Sequence, residues 1–212
     1  MTTSAALIEL PVCDAPPEGE KLSQSFQMVT TNTGRQIDLF HPNPAQVALE
    51  DIAHALSRLP LYNGHTKGDY IYSVAIRSCW VARYLYRLTG DSEMALHGLM
   101  HWSAQAYTGT SVMPTGRLFS DTNLLIKKAI YMGLDLPVLK LEHCRLLDQA
   151  FTQVQMIELE SLLPPGCAEG DKISAQIDDV AKQLHWLEPI EPWMVCGAFQ
   201  QYFETLKRGE LV

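Results

Sequence analysis

The chain has 212 residues, of which 47% are hydrophobic and 19% charged, enough for one domain with a substantial core. Its 24 acidic and 16 basic residues give a formal net charge of −8. This balance argues against non-specific binding to nucleic acid or to an anionic membrane surface, because both require a basic face.

Neither the first residues of the chain nor its cysteines indicate export. The first residues, MTTSAALIELPV, lack the basic start of a signal peptide, and no apolar run reaches the roughly 18 residues of a membrane span. The five cysteines form no CxxC pair and are odd in number, as is usual for reduced thiols. The sequence therefore predicts a soluble, cytoplasmic protein.

Residues 1–25 contain three prolines and little periodicity, which indicates an irregular N-terminal arm. A single helical domain is expected over 26–208. It opens with two short strands within 26–40 that flank the turn TNTG, a pattern typical of a β-hairpin.

The remainder of the domain shows helical periodicity, which predicts an all-α fold of about seven helices. Asn43 and Pro44 mark a helix start, Gly90 a helix end, Asp91 an N-cap and Gly133 another end. The expected helices cover about 44–59, 70–89, 91–107, 120–132, 137–163, 173–187 and 191–207.

Residues 98–110 read GLMHWSAQAYTGT, and we place His101 in the middle of a helix. This stretch and four others together resemble the HD-domain phosphohydrolase superfamily in their order and spacing. The resemblance is closest to the 5′-nucleotidase-like branch, which is common in phages and mobile elements. The other four are TNTGRQIDL (31–39), EDIAHALSR (50–58), YNGHT (62–66) and YSVAIRS (72–78). The resemblance implies an HD-like helical domain and deoxynucleoside phosphates as the first ligands to test.

In that superfamily a His, an adjacent His-Asp pair and a distant Asp hold a divalent metal, which polarises a phosphate and helps to generate the attacking water. This chain departs from the pattern. Arg77 replaces the first ligand, Trp102 the paired Asp and His143 the distant Asp, and only His101 remains in kind. Two further acids are replaced by Gln105 and Thr110. One imidazole holds a metal poorly, so we expect no cofactor.

These replacements suggest a pseudoenzyme that binds a nucleotide-like anion or a protein partner without metal. Arg77 would grip the anion and Trp102 would stack on a base or fill the vacated space. The remaining residues expected at the ligand are Tyr62, His65, His101, Gln105 and His143.

Two alternatives remain open at this point. In the first, Arg77 and Trp102 plug a dead pocket, and the protein acts purely as an interaction module through an outer apolar patch, with a homodimer among the expected arrangements. In the second, His97, His101 and His143 form a rebuilt site for Zn, Mn or Co, and an active nucleotide phosphohydrolase survives.

Other residues receive ordinary structural assignments. Glu158 lies near a helix end and is expected to be exposed. Trp186 and Trp193 are expected to pack between helices, and Lys127 and Lys128 to form a solvated face.

Overall fold

The computed structural model describes residues 28–109, 116–140, 143–162, 176–183 and 190–210, without the side chains of 116–120. The predicted arm (1–25), residues 164–172, Thr110 and Trp186 lie outside this part of the chain. Within it, the protein is helical apart from one small two-stranded sheet, as the sequence predicts.

The predicted hairpin is confirmed and is fastened to the helical body by a carboxylate. Strand β1 (Met28–Thr30) pairs antiparallel with β2 (Gln36–Asp38), and the buried Ile37 points into the core. The Thr33 backbone N–H and hydroxyl in the connecting turn donate to the two oxygens of the buried Asp51, at 2.9 and 2.7 Å. Two of the segments that carry the family resemblance are thus in direct contact.

Eight α-helices follow in the described residues. They are α1 (Leu49–Arg58), α2 (Val74–Thr89), α3 (Ser92–Leu99), α4 (Gln105–Thr108), α5 (Gly116–Gly133), α6 (Cys144–Leu162), α7 (Asp179–Lys182) and α8 (Pro192–Lys207). Two 3-10 turns, Pro44–Gln46 and Tyr62–Gly64, precede α1 and α2 respectively.

The local capping signals are confirmed. Asn43 accepts a hydrogen bond from the Ala45 N–H at 3.0 Å, Gly90 adopts the left-handed conformation at φ 68°, and Asp91 accepts from the Glu93 N–H at 2.8 Å. Helix α5 ends at Gly133 as expected.

Several predicted boundaries were wrong. The helix expected from 44 stops after one 3-10 turn, because residues 47–48 are extended, and α1 starts at Leu49. Helix α2 starts at Val74 rather than at 70, because Ser73 caps it. Helix α6 starts at Cys144 rather than at 137.

The placement of His101 in the middle of a helix was also wrong. Helix α3 ends at Leu99, and the Met100 N–H bonds to both Leu96 and Gly98 carbonyls as the last turn tightens. Residues 100–104 form turns, after which the short helix α4 ends at Gly109 with φ 76°. His101 therefore sits in a tight connection between two helices.

Helix α2 occupies the centre of the structure and packs against α1, α3, α6 and α8. Its buried residues join those of the hairpin and the other helices in one hydrophobic core. The largest fully buried side chains are Trp80, Tyr84, Phe199, Ile37, Ile52, Leu56, Leu85, Met94, Leu99, Met100, Ile126 and Ile130. None of the described helices is both long enough and apolar enough to cross a membrane.

Two glycines provide a matched test of this packing. A Cβ on Gly133 would lie 2.3 Å from the Pro44 carbonyl oxygen, whereas one on Gly197, within α8, meets nothing within 4 Å. We expect Gly133→Ala to destabilise the fold by about 1–3 kcal/mol through overpacking. Gly197→Ala should stabilise it by roughly 0.5–1 kcal/mol through helix propensity. Urea unfolding measures both, and equal effects would contradict the contact between α5 and the Pro44 turn.

Candidate functional site

A buried ion pair joins α2 to α6 where the resemblance expects a metal ligand. Arg77 projects from the first turn of α2, and Glu158 projects from α6 with no solvent exposure. Arg77 Nε donates to Glu158 Oε1 at 2.8 Å, and Arg77 Nη2 donates to Oε2. The predicted exposure of Glu158 was wrong, and the cation of Arg77 is already matched by a carboxylate.

Two tyrosines complete the coordination of this carboxylate. Tyr62 and Tyr72 each donate their hydroxyl to Glu158 at 2.7 Å, to Oε2 and Oε1 respectively. Arg77 Nη2 also donates to the Tyr62 hydroxyl oxygen at 3.1 Å. We call these four residues the Glu158 network. Each Glu158 oxygen receives two hydrogen bonds, so the buried charge is both neutralised and hydrogen-bonded.

The ionisation of the network follows from burial and from the Glu158 charge. Desolvation raises the pKa of both Tyr62 and Tyr72, and the neighbouring Glu158 carboxylate raises it further. Desolvation alone would lower the pKa of Arg77, but the hydrogen bonds and the charge of Glu158 outweigh it and the pKa is raised. Both phenols therefore stay neutral and Arg77 stays protonated.

Tyr62 reaches the network from a strained turn. The φ angles are 52° at Tyr62, 54° at Asn63 and 78° at Gly64, all in the left-handed region. A left-handed conformation costs a non-glycine residue on the order of 1–3 kcal/mol, so surrounding contacts must hold it. The Tyr62 hydrogen bonds to Glu158 and Arg77 are such contacts.

Aromatic rings surround the outer face of Arg77. Its guanidinium carbon lies 5.4 Å from the Tyr62 ring centroid and 5.6 Å from that of Trp102. Trp102 packs in turn on Phe151, with centroids 4.8 Å apart, and on His101, with centroids 4.9 Å apart. Trp102 thus occupies space beside the network and belongs to the margin of the core.

His101 and Gln105 each carry a buried polar atom. The Nδ1 of His101 and the Oε1 of Gln105 are buried, and neither has a hydrogen-bond partner among the described residues. Burial, with a smaller contribution from the Lys127 charge, lowers the pKa of His101 to about 3. His101 is therefore neutral at physiological pH.

His97 and His143 form a separate contact. The buried His97 places Nδ1 3.3 Å from the Tyr131 hydroxyl, and its ring centroid lies 6.2 Å from that of His143. Burial, followed by the charges of His143 and Lys127, lowers the pKa of His97 to about 4. Within the described ranges, no group of three or more His, Cys, Asp or Glu side chains is arranged to hold a metal ion.

The structure thus brings together four of the predicted ligand-binding residues through direct contacts: Tyr62, Arg77, Trp102 and His101. His143 lies instead against His97, and His65 is exposed on the surface. Sequence reasoning missed Glu158 and Tyr72. Helical spacing carries a signal for Glu158, which stands four residues from the buried Val154 and Leu162.

The fold and this site define a mainly helical protein with a buried ion pair whose carboxylate accepts four hydrogen bonds. No family model matches the chain. It is 32% identical over 184 residues to an uncharacterized protein of Rhodobacter capsulatus, a match that covers 84% of this chain and 94% of the relative. The chain belongs to the same family as that protein.

The Glu158 network predicts strong coupling between its charged members. Arg77→Met should destabilise the protein by about 3–5 kcal/mol, because it leaves the Glu158 charge buried without a cation. Adding Glu158→Gln should recover most of that loss, because the amide is neutral, and its oxygen accepts from one tyrosine while its NH2 donates to the hydroxyl oxygen of the other. Urea unfolding of the double-mutant cycle measures the coupling, with the exposed Glu204→Gln as control. Additive effects would show that the pair is not coupled.

His101 predicts a pH dependence of stability. Its pKa is lowered from 6.5 to about 3, so the unfolded chain binds its proton first as pH falls. The stabilising contribution is fully present above about pH 6.5 and is lost on acidification, at about 1.4 kcal/mol per pH unit at most.

His101→Leu should therefore reduce the dependence of the unfolding free energy on pH between pH 7 and pH 5. The exposed His41→Gln variant should leave the slope unchanged. An unaltered slope in His101→Leu would show that this imidazole does not contribute. Urea unfolding at each pH, in buffer containing EDTA, provides the measurement.

Proposed function

We propose that this protein is a catalytically inactive relative of the HD-domain phosphohydrolases and that it works by binding. The observation that carries the proposal is the ion pair of Arg77 with the fully buried Glu158. At the position where the resemblance expects a metal-ligand histidine, the chain has a cation. The carboxylate nearest to it is held by that cation and by two phenols.

This arrangement removes both parts of the family reaction. A guanidinium repels a divalent metal and cannot replace one in generating a nucleophilic hydroxide. Glu158 accepts four hydrogen bonds, so ligating a metal or taking a proton from water would require it to give up buried contacts. The network supplies stability rather than a general base.

The same contacts limit how a nucleotide-like anion could bind. A phosphate that binds Arg77 through both Nε and Nη2 would have to displace Glu158 and leave its charge buried, a cost of several kcal/mol. The His101 ring packs on Trp102, and its buried Nδ1, which has no hydrogen-bond partner among the described residues, offers a hydrogen bond without that displacement. We therefore place a small ligand on the Trp102 side of the network.

A protein partner is the second candidate, and a different surface favours it. The predicted packing of Trp193 between helices was wrong, since its side chain is 67% exposed at the start of α8. Ile71, which is 44% exposed, and Pro192 line a neighbouring depression with Ile190. An exposed tryptophan beside aliphatic side chains is typical of a protein-binding surface.

Turnover tests the main proposal. Nucleoside and deoxynucleoside mono- and triphosphates are incubated with Mn, Co, Mg or EDTA and the products are separated by chromatography. We expect no product in any arm. Metal-dependent product that is lost in His101→Ala would mean that the histidines form a working metal centre, and the proposal would be wrong.

Thermal unfolding with the same nucleotides in EDTA distinguishes binding of a small ligand from binding of a protein partner. A rise in Tm that Trp102→Ala abolishes would support a small ligand beside this ring. The exposed Trp193→Ala variant serves as the matched control, since it should retain the shift. If no nucleotide raises the Tm, the small-ligand form of the proposal fails and the surface around Trp193 is favoured.

A further inference from the structure

An apolar groove runs along the C-terminal half of α5, away from the Glu158 network. Its volume is about 490 Å³, within the range of roughly 300–1,000 Å³ typical of small-molecule sites. The groove is formed by α5 and the chain that follows it. The lining residues are Leu124, Lys127, Lys128, Tyr131, Met132, Asp135, Leu136, Val138 and Leu139.

The rim of this groove consists of large aliphatic side chains that water reaches. Leu124 is 69% exposed, Met132 63% and Val138 83%. Leu136 and Leu139 are half-buried and form the walls beneath them. Covering such surface stabilises a complex by about 25 cal/mol per Å², and a contiguous exposed apolar surface of this kind marks a binding site.

The floor of the groove carries a desolvated cation. Lys127, expected to be solvated, is half-buried, and its Nζ lies 5.9 Å from the centroid of the Tyr131 ring. Burial lowers the pKa of this amine, and no carboxylate of the described residues forms an ion pair with it. Lys128 stands exposed beside it, and the acidic residue of the lining, Asp135, is exposed beyond the end of the helix.

Lys127 differs from two other cations of the protein. Arg77 is neutralised by Glu158, and Lys207 donates to the Leu134 carbonyl at 2.6 Å. Lys127 has lost part of its hydration and gained the face of the Tyr131 ring, but no ion pair with a carboxylate of the described residues. An anion delivered to the floor of the groove would supply that ion pair, and aliphatic walls favour an anion attached to a hydrocarbon chain.

We propose that this groove binds a single-chain alkyl carboxylate, with the carboxylate on the Lys127 ammonium and the chain along Leu136, Leu139 and the rim. The amine and the carboxylate form a charge-assisted hydrogen bond at the floor, and the alkyl chain covers the exposed side chains. A methylene chain can follow an open groove and still deliver its head group to the floor. The site is separate from the Glu158 network, so the proposal holds whether or not that region catalyses a reaction.

Titration calorimetry with decanoate, below its micelle concentration, tests the proposal. We expect one site, with decanoate binding at least tenfold more tightly than decyltrimethylammonium, which has the same chain and the opposite charge. Decyl sulfate provides a second anion. Tight binding of decyl sulfate with none of decanoate would contradict the carboxylate head group, and equal binding of all three would show a site without charge selection. Both results would overturn the proposal.

Variants locate the site. Lys127→Met should weaken decanoate binding about tenfold or more, because a hydrogen bond to a charged group is lost. Lys127→Arg should stay within a few-fold of the parent, and Lys182→Met, an exposed lysine on α7, should leave the affinity unchanged. Met132→Asp should weaken decanoate and decyl sulfate alike, because it puts a negative charge on the rim.

Folding and self-association are followed on the same samples. Far-UV circular dichroism and urea unfolding establish whether each variant is folded. If Lys127→Met does not fold, Lys127→Arg and Met132→Asp still test the site. Decanoate binding that is unaffected by Lys127→Met and by Met132→Asp would overturn the assignment. Sedimentation that shows a dimer dissolved by Met132→Asp, with no decanoate bound, would mean that a second copy occupies the groove and would equally overturn it.

Discussion

The structure depends on the fully buried carboxylate of Glu158. Glu158 has no contact with solvent, and an isolated charge in that position would cost several kcal/mol. Arg77 supplies the opposite charge from α2, while Tyr62 and Tyr72 satisfy the remaining hydrogen-bonding capacity from the segment that precedes α2. Three separate parts of the chain must therefore be in place together before the charge of Glu158 is compensated.

This dependence explains the strained turn before α2. The left-handed conformations of Tyr62 and Asn63 are unfavourable in isolation, yet the turn places the Tyr62 hydroxyl against both members of the ion pair. Cation and hydrogen-bond donors converge on one group of carboxylate oxygens, much as ligands converge on a metal, but with the charges reversed. On our proposal the region keeps this polar connection between its elements and lacks an ion that could exchange ligands or activate water.

Features that depend on a few neighbouring residues were predictable from the sequence. The hairpin and the caps at Asn43, Gly90 and Asp91 each follow from one turn of chain. The end of α3 was missed because its glycine, Gly98, lies inside the helix and no Gly or Pro directly follows Leu99; the last turn tightens at Met100. Residues 91–107 were therefore predicted to form one uninterrupted helix, and His101 was wrongly placed in the middle of it.

The candidate site was less predictable, because its decisive contact spans 81 residues. Arg77 was identified as the cation of the pocket, but nothing near it in sequence indicates the carboxylate that neutralises it. Periodicity places position 158 on the buried face of α6, yet a glutamate there looks solvated until its partners are known. Residue type gave the charge, and only the tertiary structure gave the pairing.

Lys127 differs from Arg77 in how the cost of its desolvation is met. The cost of desolvating Arg77 is offset within the fold, whereas that of Lys127 is not offset by any carboxylate that the structure describes. The Lys127 charge also helps to keep His97 and His101 neutral. An anion at Lys127 would reduce that repulsion, so the groove and the two histidines are electrostatically linked. Binding at the surface would then stabilise the folded state by mass action and favour protonation of both imidazoles, without any change in the Glu158 network.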